Sequence, residues 1–283
     1  MTKIIAANWK MNNAFDETDE WLDGFFEGYT KHYDQLKLVE MLLCPPAILL
    51  DYVDSELMED GFQFLEKVIQ KEGRVIEGLS AEEINKVVVE ERPLKLCAQD
   101  CHYEESGSFT GDISAAMLKK VGCRYVILGH SERREHHNET NEIIAKKVAA
   151  AVKNNLIPVL CVGESKETRD KNEHLQFVYQ QIMQSIPADL KIEKLVLAYE
   201  PIWSIGTGVI PTTEQISEMA KLVKQIFAEK FAGKITKNFT LYGGSVTSQN
   251  SGEIMKIQGI DGLLVGKASL DPQEFIKISL SSV

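Results

Sequence analysis

The sequence predicts an α/β fold: a (β/α)8 barrel formed by one domain over residues 1–283, with a helical insertion at about 54–92 between the second and third strands. Three observations lead there. Eight short apolar runs recur along the chain, longer amphipathic stretches separate them, and glycines or polar residues close the runs at one end. Most runs are continuously apolar rather than alternating, as strands covered on both faces require.

In order, the runs are KIIAANW from residue 3, LVEMLLC from 38, LKLCAQ from 94, RYVILG from 124, IPVLCVG from 157, LVLAY from 195, FTLYGG from 239 and DGLLVG from 261. Between the fourth and fifth, Ile144, Val148 and Val152 recur every four residues, the spacing of one helix face. Before the seventh, Ile216, Met219, Val223 and Ile226 form a second such stripe, opened by Thr212 or Thr213 with Glu214 or Gln215 nearby as the cap. The widest gap separates the second and third runs. Within it, Leu57, Leu65 and Val68 or Ile69 lie near helical spacing, and Ser80 with Glu83 forms a capping box ahead of Ile84, Val87 and Val88. This insertion reads as a solvated helical elaboration; an added oligomer contact is the sharper alternative.

Composition narrows the function. The chain is 44% hydrophobic and 26% charged, and no apolar run approaches the roughly 18 residues of a membrane helix. A net charge of -11 argues against nucleic acid or an anionic membrane as partner, since both reward clustered Lys and Arg. An anionic substrate must then be drawn by local groups. The start, MTKIIAANWK, enters a strand directly and shows no signal peptide. Five cysteines, odd in number and without CxxC spacing, read as reduced thiols in a cytoplasmic protein. Cys101 beside His102 lacks the second spaced pair that a metal site needs, so no metal is expected.

Barrels of this kind gather chemistry at the carboxyl ends of their strands. Here the first run ends in Asn8-Trp9-Lys10, the fourth in Gly129-His130-Ser131-Glu132, the sixth in Glu200, the seventh in Gly243-Gly244-Ser245 and the eighth in Gly266. Singly, each has an ordinary reading as a solvated end, a loop histidine or a turn. Together they suit proton transfer beside the carbonyl of a small phosphorylated molecule. A carboxylate takes the carbon-bound proton. A neutral imidazole and an ammonium stabilise the enediolate that forms. Turns at Gly206, Gly244, Ser245 and Gly266 offer N–H groups to a phosphate, with helices following several of them. No cofactor is needed, and no GxGxxG follows a strand. After Glu200, a stiff Pro-Ile-Trp segment and the mobile Gly206 and Gly208 suggest a lid.

Five motifs carry a resemblance over nearly the whole chain: NWK at 8–10, GHSERR at 129–134, CVGE at 161–164, YEPIWSIGTG at 199–208 and YGGSV at 242–246. In this order they resemble the triosephosphate isomerases. The resemblance implies a TIM barrel that interconverts dihydroxyacetone phosphate and D-glyceraldehyde 3-phosphate in glycolysis and gluconeogenesis. It also implies catalytic roles for Glu200 as base, His130 as electrophile and Lys10 as electrostatic anchor. Asn8 would lie beside the substrate, and Glu132 would pair with the lysine. Phosphate would be held by N–H groups at Gly206, Ser245, Gly266 and Lys267, the last standing where the family commonly has a second glycine. Ser204 replaces a usual alanine in the lid. GSFTGD at 107–112 resembles the loop that reaches a partner subunit, Thr110 approaching the neighbour's Asn12 and Glu132, so a homodimer is implied. Two rivals remain: another cofactor-free isomerase or aldolase on a phosphate-binding barrel, and a barrel without catalysis that serves as a scaffold.

Overall fold

A computed structural model describes residues 3–72, 80–207 and 209–283. In chain order its elements are β1 Lys3–Asn8, α1 Phe15–Lys31, α2 Tyr33–Leu36, β2 Val39–Cys44, α3 Leu50–Glu72, α4 Ala81–Glu91, β3 Leu94–Ala98, α5 Ala115–Lys120, β4 Tyr125–Leu128, α6 Ser131–His136, α7 Asn141–Lys153, β5 Ile157–Val162, α8 Lys166–Asp170, α9 His174–Ser185, β6 Ile192–Tyr199, α10 Thr213–Lys230, β7 Ile235–Tyr242, α11 Ser251–Met255, β8 Gly262–Val265 and α12 Pro272–Leu280. All eight strands are parallel, each pairs with its neighbour in sequence, and β8 closes on β1.

The strands are apolar on both faces because each face packs on something different. In β1, Ile4 and Ala6 point into the barrel with Leu42, Val159 and Leu264, while Ile5 and Ala7 meet the surrounding helices. Trp21, Leu22, Phe25 and Tyr29 form the buried face of α1, and Trp21 stacks on Phe25 with ring centroids 5.4 Å apart. The predicted stripes on α7 and α10 are buried, except that Val152 is only partly covered. Thr212, rather than Thr213, caps α10: its Oγ1 accepts from Gln215 N at 3.3 Å and its N–H donates to Gln215 Oε1 at 2.9 Å.

β6 and β7 begin earlier than their apolar cores suggest. Ile192, Lys194, Ile235 and Lys237 extend the pairing as a polar ribbon, whose mixed composition hides it from a search for apolar runs.

The long β2–β3 connection carries a 3-10 turn at Ala47–Leu49 and the helices α3 and α4, so helical structure begins before the expected insertion. Ser80 caps α4 as expected, with Ser80 N–H donating to Glu83 Oε2 at 2.8 Å. Leu57 is buried, whereas the side chains of Leu65, Val68 and Ile69 lie outside the described residues. Val88, Met58, Ile84 and Val87 form a small apolar cluster between the two helices. Arg92 ties the pair down by donating to Asp54 Oδ1 at 2.8 Å.

Candidate active site

The carboxyl ends of β1, β4, β6, β7 and β8 surround a cavity of about 690 Å³, lined by Asn8, Lys10, His130, Glu132, Glu200, Gly206, Ser245, Gly266 and Lys267 among others. Nine expected site residues thus meet at one place, from points as far apart in the chain as β1 and β8. Its size suits a small ligand.

Lys10 follows β1 in the left-handed region, with φ 55°. For a residue with a Cβ this conformation persists only where neighbours hold it. Asn8 Oδ1 accepts the Lys10 N–H at 3.1 Å, and Gln99 Nε2 donates to the Lys10 and Cys44 carbonyls, each at 2.8 Å. Gln99 was not singled out in the sequence; its function there is to clamp two strand ends. The Lys10 ammonium lies 2.6 Å from Glu132 Oε1, the expected pairing.

After β4 the chain turns at Gly129, φ 68°, and His130 caps α6. Its Nδ1 accepts the Glu132 N–H at 3.2 Å, which assigns the imidazole proton to Nε2. That nitrogen faces Glu200 Oε1 at 3.1 Å, and Glu200 Oε2 accepts the Ser131 N–H at 3.1 Å. Glu200 is 2% exposed and His130 6%. Burial alone would push the Glu200 carboxyl up; His130, the Ser131 N–H and Lys10 outweigh it and hold the group below the usual carboxylate range. Burial likewise presses the imidazole down, and the docked Glu200, with Glu132 behind it, raises it above its ordinary value. Glu200 is the main raising cause, so that shift lasts only while the carboxylate stays docked.

Beyond Glu200 the chain makes a 3-10 turn at Ile202–Ser204 and a left-handed residue at Gly206, φ 70°. Gly208 lies outside the described residues. The turn is anchored through Trp203, whose Nε1 donates to Glu164 Oε1 at 2.9 Å. Tyr199 Oη and Arg169 Nε donate to the same oxygen at 3.1 and 2.7 Å. In the sequence Glu164 closes the motif CVGE, and no adjacent residue marks a task for it. Its partners lie 5 to 39 residues away, so only folding reveals it as the anchor of the segment after Glu200.

The opposite wall is the turn after β7. Ser245 Oγ donates to the Ser204 carbonyl at 2.9 Å, joining it to the 3-10 turn after Glu200. Gly244 must lack a side chain: a Cβ there would lie 2.1 Å from Tyr242 Oη and 2.9 Å from Ser204 Oγ. Both hydroxyls are buried.

Among the described residues, the N–H groups of Gly206, Ser245, Gly266 and Lys267 are given to no other protein group. Those of Gly206 and Ser245 come from turns, whereas Gly266 and Lys267 are the cap and first residue of the 3-10 helix Lys267–Leu270. α10 begins at Thr213 and α11 at Ser251. Helices follow each of these turns within a few residues, and the α-helix that opens at the cavity itself is α6. Lys267 is absent from the residues with positive φ, so its Cβ imposes no strain on the turn.

Two expected residues lie elsewhere. Asn12 borders an adjoining hollow of about 450 Å³ with Lys10, Met11, Gln99, His136 and His137, and its Nδ2 donates to the Trp9 carbonyl at 2.6 Å. Thr110 stands on an exposed turn between left-handed Gly107 and Gly111, and a single chain does not bring it to the cavity. Among the described residues no group of His, Cys, Asp and Glu could hold a metal ion.

The chain matches the family model for triosephosphate isomerase over residues 3–74 and 75–281. The triosephosphate isomerase of Aquifex aeolicus (strain VF5) is 39% identical over 282 residues, covering 99% of this chain and 100% of that relative. The one from Dictyoglomus turgidum is 39% identical over 276 residues, covering 96% of each. Among solved structures, the crystal structure of triosephosphate isomerase from Bartonella henselae superposes with a TM-score of 0.75 at 30% identity and 98% coverage of both chains. This chain therefore belongs to the triosephosphate isomerase family, and it interconverts dihydroxyacetone phosphate and D-glyceraldehyde 3-phosphate as a step of glycolysis and gluconeogenesis.

Proposed function

We propose that Glu200, His130 and Lys10 perform this isomerisation and that four backbone N–H groups hold the substrate phosphate. The observation that carries the proposal is the convergence of a buried carboxylate, an Nε2–H imidazole and an ammonium on a cavity that also presents unpaired N–H groups.

Glu200 Oε1 accepts from His130 Nε2 where a substrate oxygen would have to sit. Substrate entry therefore exchanges one oxygen for another: Glu200 leaves His130 and Ser131, and the carbonyl takes its place. The freed carboxylate removes the proton from the carbon beside the carbonyl, and the electron pair moves onto the carbonyl oxygen as an enediolate. His130 Nε2–H and the Lys10 ammonium stabilise that charge. The hydroxyl proton then passes from the neighbouring oxygen to the former carbonyl oxygen by way of His130 Nε2, and Glu200 returns the first proton to the adjacent carbon as the neighbouring oxygen becomes the new carbonyl, which completes the isomerisation. With Glu200 gone, burial favours a neutral imidazole, which the Glu132 N–H at Nδ1 maintains. The family is itself the standard illustration of a glutamate base working with a neutral histidine at a helix N-terminus.

Asn8 positions the Lys10 backbone through its 3.1 Å hydrogen bond, and Glu132 orients the ammonium. The N–H groups of Gly206, Ser245, Gly266 and Lys267 receive the phosphate. Ordering of the lid beyond Ser204 over the cavity excludes water and protects the enediolate.

The chain acts as one barrel domain and as a homodimer. In that dimer Thr110 of the partner subunit reaches the hollow beside Asn12 and Glu132, where Met11 is 94% exposed. A cytoplasmic location agrees with five free, buried cysteines. No helix among the described residues is long and apolar enough to cross a membrane.

The test is isomerisation of D-glyceraldehyde 3-phosphate by the purified chain, without added metal or cofactor, beside Glu200→Gln. Loss of about 10²–10⁴-fold in kcat is expected for a missing base. Near-normal turnover by the variant would remove Glu200 from its role, and sedimentation as a monomer would remove the dimer.

A further inference from the structure

The charged groups of the cavity are nearly all committed to each other. Lys10 is 2.6 Å from Glu132, and His130 lies between Glu200 at 3.1 Å and Glu132 at 3.5 Å. With the imidazole neutral, the carboxylates of Glu132 and Glu200 outnumber the Lys10 ammonium before any ligand arrives. Lys267 is the other cation in the lining, and among the described residues it forms no ion pair with a carboxylate. It lines the same cavity as Ser245, Gly206 and Gly266, whose N–H groups are given to no other protein group among the described residues.

A phosphate dianion entering this cavity meets a protein of net charge -11. The long-range field opposes its approach, and backbone dipoles act only at contact. A lysine in the lining offsets this local negative excess over about one Debye length, roughly 10 Å at 0.1 M salt. Lys267 is exposed and its ammonium ends a flexible four-carbon stem. Its contribution is therefore Coulombic and does not depend on a fixed hydrogen-bond geometry. The side chain is also compatible with the turn, since Lys267 opens the 3-10 segment Lys267–Leu270 without a positive φ and retains its own N–H.

We propose that the Lys267 ammonium is a specificity determinant for the substrate phosphate, drawing the phosphorylated triose into the cavity and adding a direct charge to the backbone cradle. This rests on the reading of the cavity given under Proposed function. It assigns to the side chain a task separate from that of the Lys267 N–H.

The experiment compares the intact chain with Lys267→Ala and Lys267→Arg, measuring kcat/KM for D-glyceraldehyde 3-phosphate and for unphosphorylated D-glyceraldehyde across ionic strength, with inorganic phosphate as competing inhibitor. For Lys267→Ala, kcat/KM with the phosphorylated substrate is expected to fall about threefold to tenfold at low salt, as for a rim charge. The gap should narrow as salt rises, phosphate should inhibit less well, and the preference for the phosphorylated triose should fall by a similar factor. Lys267→Arg should keep the salt dependence of the intact chain. Unaltered salt dependence and phosphate inhibition in Lys267→Ala would overturn the lysine's role, as would an equal loss on D-glyceraldehyde, which would instead indicate a displaced turn. An intact chain that turns over neither substrate would overturn the underlying reading of the cavity, a result distinct from either of these.

Discussion

The two ends of the barrel hold similar chemical groups and use them in opposite ways. At the amino-terminal end, Glu40 on β2, Tyr125 on β4 and Lys194 on β6 bond to one another. The Lys194 ammonium also lies over the Tyr125 and Phe239 rings, 5.1 and 4.9 Å from their centroids. At the carboxyl end, Lys10, His130, Glu132 and Glu200 are paired as well, but they border a cavity, and Lys10 sits in a conformation its own backbone disfavours. A closed cluster with every polar group partnered rigidifies the barrel. Groups whose partners can be exchanged for a ligand perform chemistry. Residue type does not separate the two ends; the convergence of the paired groups and free backbone N–H groups on one cavity does.

The same substitution at both ends gives the largest contrast. Lys10→Met should cost about 10²–10³-fold in kcat/KM, the scale of losing one group that stabilises an oxyanion, with little change in melting temperature. Lys194→Met should leave kcat/KM within about twofold and lower stability by about 1–3 kcal/mol, because Glu40 keeps only part of its satisfaction. Steady-state kinetics and calorimetry on the two proteins measure both effects, and an equal activity loss at Lys194 would abolish the distinction.

A pair of glycines sharpens it further. Gly244→Ala forces a Cβ onto Tyr242 Oη and should cost about 1–3 kcal/mol by overpacking, with a loss of kcat/KM as the Ser245 N–H shifts. Gly252→Ala in α11 meets nothing closer than 3.9 Å and should instead gain up to about 1 kcal/mol from helix propensity. Denaturant titration distinguishes them, and equal costs would mean that the crowding at Gly244 is readily relieved.

The smallest expected effect is on pH dependence. Glu200 is held low in the free protein, so it stays ionised further into acid than an ordinary carboxyl. Its depressed folded value contributes stability that is present above the unfolded value and lost as pH falls through the folded one. His130→Gln removes the largest lowering cause, so both the acid limb of kcat/KM and the acid loss of stability should move to higher pH. A pH–rate profile that does not move would show that the Ser131 N–H and Lys10 suffice without the imidazole.

Much of this was legible in the sequence for identifiable reasons. A strand covered on both faces must be apolar throughout, which marked the eight runs, and a polar residue just after such a run lies on the rim. The ribbon of β6 and β7 was missed because lysines interrupt its period. Gln99 and Glu164 were given no role because each acts on backbone or side chains brought to it by folding, and nothing adjacent in the chain marks that action. The Glu40, Tyr125 and Lys194 cluster was invisible for the same reason, since its members come from three separate strands.

The sequence by itself determined the barrel, the family and the residues that meet at the carboxyl rim, because strand period and motif order are properties of local chain. Only the tertiary structure decided that Glu200 docks on His130 and Ser131, that Thr212 rather than Thr213 caps α10, that Gly206, Ser245, Gly266 and Lys267 line one cavity, and that Lys267 forms no ion pair with a carboxylate among the described residues. Each of these depends on distances between segments far apart in the chain, which packing alone sets.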